Sequence, residues 1–247
     1  MRLAPALKYQ LSGIKWPVII FYIVIYSLFI LMGVSLLAFR RVDINVHFGG
    51  FDAASMIFLF VVGLNSYKST FHMFAANGIS RKTMFTSFVV TAGILCAGMV
   101  LIDSLNALIV SQFLNYEPIL VQDFASRYIG SGSLMYGEGI LYMFCSYLSC
   151  IMLGYFITTA YYRMNKPLKL TISIGVPVFF FIILPIVDAQ LFSGEIFRFL
   201  GTVIAFCSGR LSGSPYVAMA MDLVFAAVTG ALAYLLARRA TVKLSAG

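Results

Sequence analysis

Nine acidic residues stand among 247, and several fall within or beside long apolar stretches. Carboxylates in such places are the first candidates for chemistry. A charge in hydrocarbon is costly, and it persists where it meets an ion, a proton or a polar substrate. Asp103 stands 20 residues into the apolar run that begins near Thr83, with Asn106 one turn on and Ser104 and Ser111 nearby. Asp222 lies a few residues into the run that begins near Tyr216, and Asp188 and Glu138 mark the ends of two others. About 30 Å of helix separates Thr83 from Asp103. These acids therefore gather towards one membrane face, which argues against a proton relay through the bilayer. Two readings follow. Asp103, Asn106 and Asp222 line the outer part of a translocation path, or they are interfacial carboxylates that reach water.

Other chemistry is poorly supplied. The two histidines, His47 and His72, are expected on opposite sides of the membrane, so they form neither a two-His metal site nor a Ser-His-Asp constellation. Cys96, Cys145, Cys150 and Cys207 lack the paired short spacing of zinc or redox sites. They read as small packing residues. There is no Gly-x-x-x-x-Gly-Lys-Ser/Thr loop, so no ATP site is expected in this chain. The expectation is a non-enzyme with no catalytic residue, no metal and no cofactor of its own.

The elements that must position these groups are membrane helices. Hydrophobic residues make up 61% of the chain and charged residues 11%, less than half the charged share of a soluble domain, about 25%. Runs of about 20 apolar residues match the hydrocarbon thickness, and in lipid a backbone satisfies its hydrogen bonds within a helix. Six spans are predicted, at about 17–39, 51–66, 83–113, 138–162, 168–187 and 216–237. Pro177 and Pro185 predict kinks in the fifth. The first run is too long for a signal-peptide core and reads as an uncleaved span. The expected fold class is all-α and polytopic, a single transmembrane domain over 1–247. Residues 1–16 form an N-terminal interfacial helix in it, with Leu3, Leu7, Leu11 and Ile14 on one face. Residues 114–137 form an external loop over the mouth of a cavity. An outer re-entrant segment spans 188–215, because the apolar stretch from Ile196 to Ser208 is too short to cross.

Charge sets the orientation. With the N-terminus inside, twelve basic residues are internal (Arg2, Lys8, Lys15, Lys68, Arg81, Lys82, Arg163, Lys166, Lys169, Arg238, Arg239, Lys243) and no acid is. Five are external: Arg40, Arg41, Arg127, Arg198 and Arg210. This follows the positive-inside rule and puts both termini in the cytoplasm. The net charge of +8 is spent on these short clusters, with no basic surface to bind nucleic acid.

One segment stands out: Tyr67-Lys-Ser-Thr-Phe-His-Met-Phe-Ala-Ala-Asn-Gly-Ile-Ser-Arg-Lys-Thr-Met-Phe85. Phe71 and Phe74 share a face, Asn77-Gly78 ends a helix and Ser80 caps the next. A rigid aromatic helix at the cytoplasmic surface suits a groove on a partner protein. Equally, its aromatics suit packing at the membrane interface. The stretch from Phe74 to Phe85, following a short second span, resembles the first inner loop of small six-span type-2 ABC exporter permeases of Gram-positive bacteria. The resemblance implies a permease subunit in a bacterial plasma membrane. ATP and Mg would be bound by a separate cytoplasmic ABC ATPase subunit. The coupling loop would span 67–82, docking through Tyr67, Lys68, Phe71, His72, Phe74, Asn77 and Gly78. A second permease, a copy or a related chain, would complete it. Ala226/Gly230 and Ala227/Ala231 in the last span have the spacing of close helix packing, within one chain or between two. Family members export peptides, drugs or lipid-like substrates, and some give antimicrobial peptide resistance. Competing readings are a secondary transporter, or an immunity or sensor protein that sequesters a peptide without moving it.

Overall fold

A computed structural model describes residues 3–38, 50–112, 118–128 and 132–238. All regular structure among the described residues is helical. The long helices are α1 (Leu3–Ala38), α2 (Phe51–Ala76), α3 (Arg81–Val110) and α5 (Gly132–Arg163), with α9 (Pro215–Arg238) last. Between α3 and α5 lies α4 (Ile119–Phe124), extended by a 3-10 turn at Ala125–Arg127. Between α5 and α9 lie α6 (Lys166–Val178), a π turn (Phe179–Ile183), α7 (Leu184–Leu191) and α8 (Glu195–Cys207). Five stretches are long and apolar enough to cross a membrane: 3–31 in α1, α3, 135–163 in α5, α6 through α7, and α9. The chain is a polytopic all-α membrane protein. His47, Arg2, Arg40, Arg41, Arg239 and Lys243 lie outside the described residues.

Three expectations change. The second span is part of α2, whose 26 residues reach about 39 Å. Asp52, Asn65 and Lys68 dilute its apolar character, and among the described residues five stretches have the length and composition of a span. Residues 3–15 are not a separate interfacial helix but the first turns of a continuous 36-residue α1. Ala6 and Gln10 in those turns are buried, and Gln10 accepts a hydrogen bond from the Thr91 hydroxyl of α3 at 3.0 Å. Packing on the bundle therefore holds the segment away from a flat interfacial pose. Finally, the aromatic helix expected within 67–82 is not a separate short helix: α2 runs on to Ala76 and turns into α3 within four residues, Asn77 to Ser80. The local signals for that turn hold. Gly78 has φ +65°, and the Ser80 side chain accepts from Thr83 N.

The core is built around α5, with α2 on one side, α9 on another and α3 across it. Residue pairings give the directions. Gln10, Tyr22 and Tyr26 of α1 meet Thr91, Asp103 and Asn106 of α3 in step, so the two are parallel. Leu64 and Tyr67 of α2 meet Thr158 and Tyr162 of α5 in the same sense. On α9, Tyr216 and Asp222 meet Glu138 and Ser146 of α5, again in parallel. Helices α3 and α5 are antiparallel, because Asp103 meets Tyr147 while Phe88 stacks on Tyr155 at 3.8 Å. At Gly63 and Gly154 the α2 and α5 backbones touch. A Cβ on Gly63 would lie 3.0 Å from Tyr155 N and 3.1 Å from Gly154 Cα. Small residues permit this approach, and it brings polar side chains of both helices within reach of each other.

The two ends of the bundle differ. One gathers the ends of α2, α5 and α9 and the starts of α1 and α3, with Arg81, Arg163 and Arg238 among them. The other is closed by residues 118–128 of the predicted external loop 114–137, whose last residues, 132–137, instead belong to α5. Asp52 accepts from Ile119 N at 3.1 Å. Leu120, Phe124 and Tyr128 are buried with Tyr142, Cys145, Ala218 and Met219. Glu138 accepts from Arg127 Nε and Nη2, from the Tyr128 hydroxyl and from the Tyr216 hydroxyl. These bonds to Glu138 raise the Arg127 pKa. Burial, then the same carboxylate, pushes the Tyr128 phenol above its usual value. Asp123 pairs with Arg210. Asp188 of α7 accepts from Ile196 N and Phe197 N at the start of α8. A carboxylate is stabilised there by the free amides and the helix dipole. The 13 residues of α8 reach about 20 Å, short of a crossing.

Candidate functional site: a buried carboxylate cluster and an exposed hairpin

Asp103 is fully buried in the C-terminal third of α3. Tyr22 of α1 donates to its Oδ1 at 2.9 Å, and Tyr147 of α5 donates to its Oδ2 at 2.7 Å. One turn on, Asn106 Oδ1 accepts from the Tyr26 hydroxyl at 2.8 Å. Three helices thus converge on two polar side chains. The sequence sets this up simply: Tyr22 and Tyr26 share a face of α1, Asp103 and Asn106 share a face of α3. The Asn106 amide nitrogen is buried with no partner among the described residues. The cluster can hold a carboxylate away from lipid, and it retains an unused donor.

This settles part of the sequence reading. Asp103 is not an interfacial carboxylate reaching water; neighbouring helices enclose it although it lies near the end of its span. Asp103 and Asn106 come together as expected. Asp222 does not join them. It accepts from the Ser146 hydroxyl at 2.6 Å, between α5 and α9. Ser146 and Tyr147 are consecutive, so the two acids lie against different faces of α5. Sequence reasoning missed Tyr22, Tyr26 and Tyr147. Their spacing offered a signal, but nothing in one sequence says which helices adjoin.

The docking residues divide in two. Tyr67, Phe71 and Phe74 are buried in the chain's own core, a correction to their expected role as exposed anchors. Tyr67 stacks on Phe71 and meets Tyr155 and Tyr162 edge-on. Phe74 meets Tyr9 of α1 at 6.0 Å, and the Arg81 guanidinium lies 4.3 Å over the Phe71 ring. Continuation of α2 past residue 66 causes the difference, since it turns this aromatic face towards α5. His72 is half-buried beside Tyr162. Lys68, Met73, Asn77 and Gly78 remain exposed. The hairpin therefore has an aromatic shaft fastened to α5 and a bare polar tip.

Among the small residues of α9, Ala226 and Gly230 are buried. Gly230 faces Met152 and Phe85 of the same chain. Ala227 and Ala231 are exposed. The cysteines are free thiols, and no group of His, Cys, Asp or Glu among the described residues is placed to hold a metal. No protein-family description, curated protein or solved structure matches this chain.

Proposed function

We propose that this chain is the membrane-spanning permease subunit of an ATP-driven exporter of the type-2 ABC class. It works in a bacterial plasma membrane with both termini in the cytoplasm, with a separate ABC ATPase and a second permease chain. The observation that carries this reading is the α2–α3 hairpin. Its tip, Asn77-Gly78, is exposed at the basic end. Its shaft is joined to α5 by the Tyr67, Phe71 and Tyr162 rings and by the backbone contact at Gly63 and Gly154. A push on the tip displaces α2 and α5 together. Further along the same helices stand Ser55, near the start of α2, and Tyr147, midway along α5, so motion at the basic end reaches the Asp103 cluster. The partner then touches Lys68, Met73, Asn77 and Gly78, and the aromatics transmit. The parallel course of α2 beside α5 supports six crossings.

The test is purification of the tagged full chain from its native membrane. An ATPase subunit should co-elute, and Asn77→Arg, at a solvent-exposed position, should abolish co-elution while the chain still inserts. In the same cells, Asn77→Cys should react with an impermeant maleimide in inside-out vesicles only. Labelling from outside, or co-elution unchanged by Asn77→Arg, would defeat the proposal. One observation favours a second reading, an ion-coupled transporter: Asp103 is a buried carboxylate within a span. Transport by the purified chain in vesicles without nucleotide would establish that alternative.

A further inference from the structure

A cavity of about 390 Å³ opens between α1, α2 and α3, nearer the basic end than the Asp103 cluster. That is within the range of small-molecule sites, about 300–1,000 Å³. Its floor is formed by Gln10, Val62, Thr70, Phe88 and Thr91, all buried. Its rim includes Tyr9, Gly13, Pro17, Val61 and Asn65, all exposed. The rim lies on the outward sides of α1 and α2, so the mouth opens from the side of the bundle. Gly13 leaves it wide, since a Cβ there would meet nothing within 4 Å.

The chemistry of the lining is selective. No Lys, Arg, Asp, Glu or His lines the cavity. Ile14, Phe58, Val61, Val62 and Phe88 supply apolar wall. Gln10, 7% exposed, accepts at its carbonyl oxygen from the Thr91 hydroxyl. Its NH2 group has no acceptor among the described residues, and Gln10 lines the cavity. A ligand that brings an acceptor gives this donor a partner.

We infer that this cavity binds a neutral amphiphile with a carbonyl acceptor and an apolar chain, entering from the membrane. The Gln10 NH2 donates to the carbonyl, and the chain lies against Phe58, Val62 and Phe88. If the permease proposal holds, this is the substrate class. Binding itself needs no ATPase, so the two ideas fail separately.

The test uses the purified full chain in detergent with a monoacylglycerol that bears a diazirine in its acyl chain. After photolysis, label should concentrate on peptides containing Gly13–Pro17 and Val61–Asn65, and unlabelled monoacylglycerol should displace it. Gly13→Phe, which fills the mouth at an open position, should reduce this labelling at least tenfold. Gln10→Leu should weaken monoacylglycerol competition several-fold while leaving competition by a plain alkane unchanged. Label spread evenly over α1, α6 and α9, or labelling indifferent to Gly13→Phe, would overturn the inference. So would an anionic lysolipid that competes as well as the neutral one.

Discussion

The contact between α2 and α5 can be tested with a single methyl group. In Gly154→Ala the new Cβ would run into the Phe60 carbonyl oxygen and come within 2.9 Å of Leu64 N and 3.2 Å of the Gly63 carbonyl carbon. All three are backbone atoms, so no side chain can rotate aside and the helices must separate. Overpacking of this kind costs about 1–3 kcal/mol. Separation also strains the bond from the Thr158 hydroxyl to the Leu64 carbonyl, where a hydrogen bond within a membrane is worth about 0.6 kcal/mol on average. Against this, Ala is favoured over Gly in a helix by about 0.8–1 kcal/mol. The net expectation is a loss of about 0.6–2.8 kcal/mol. It can be read by SDS titration in mixed micelles, following exposure of the Cys96 thiol, which is fully buried in the fold. Gly98→Ala is the control, because nothing lies within 4 Å of a Cβ at that position. It should match or exceed the parent. If Gly154→Ala were as stable as Gly98→Ala, the close approach of α2 and α5 would be wrong, and with it the lever that links the hairpin to the Asp103 cluster.

Tyr147→Phe removes one of the two phenols that donate to Asp103 and should cost about 1–3 kcal/mol in the same titration, because a buried acceptor loses its partner. Asp103→Asn should fold, with a smaller loss, and should change transport or its substrate range; unchanged transport would remove Asp103 from the path. Glu138→Gln removes the charge that gathers Arg127, Tyr128 and Tyr216. Residues 118–128 should then exchange amide hydrogen faster while the centres of α2 and α5 stay protected, and unchanged exchange at the segment would contradict the cap.

Helical class and most span positions were legible because lipid leaves the backbone few alternatives. The hairpin turn was legible too, since Asn77-Gly78 and Ser80 act locally. What a sequence does not carry is azimuth. Tyr67, Phe71 and Phe74 share a face whether that face looks at a partner or at α5, and only the continuation of α2 to Ala76 decides it. The depth of Asp103 was read along the helix axis, which gave its height but not its enclosure by α1 and α5. Both errors arise from tertiary neighbours, and no periodicity encodes which helices those are. The continuity of α1 was hidden in a similar way. Its early lysines and leucines suit an interfacial helix, while the bond from Thr91 to Gln10 favours a packed one.

The π turn at Phe179–Ile183 has a consequence for α6 and α7. A widened turn accommodates one additional residue, so the faces before and after it are rotated by about 100°. Residues that would align by counting in threes and fours therefore point to different compass bearings. Ile174, Val176, Phe180, Phe181, Ile182 and Ile186 are all exposed, and apolar side chains clothe this rod on every side. It has no front or back of its own. Acyl chains can solvate it around its whole girth, and its rotation is set from its two ends, by Ser173 against Tyr161 and by Asp188 against the start of α8.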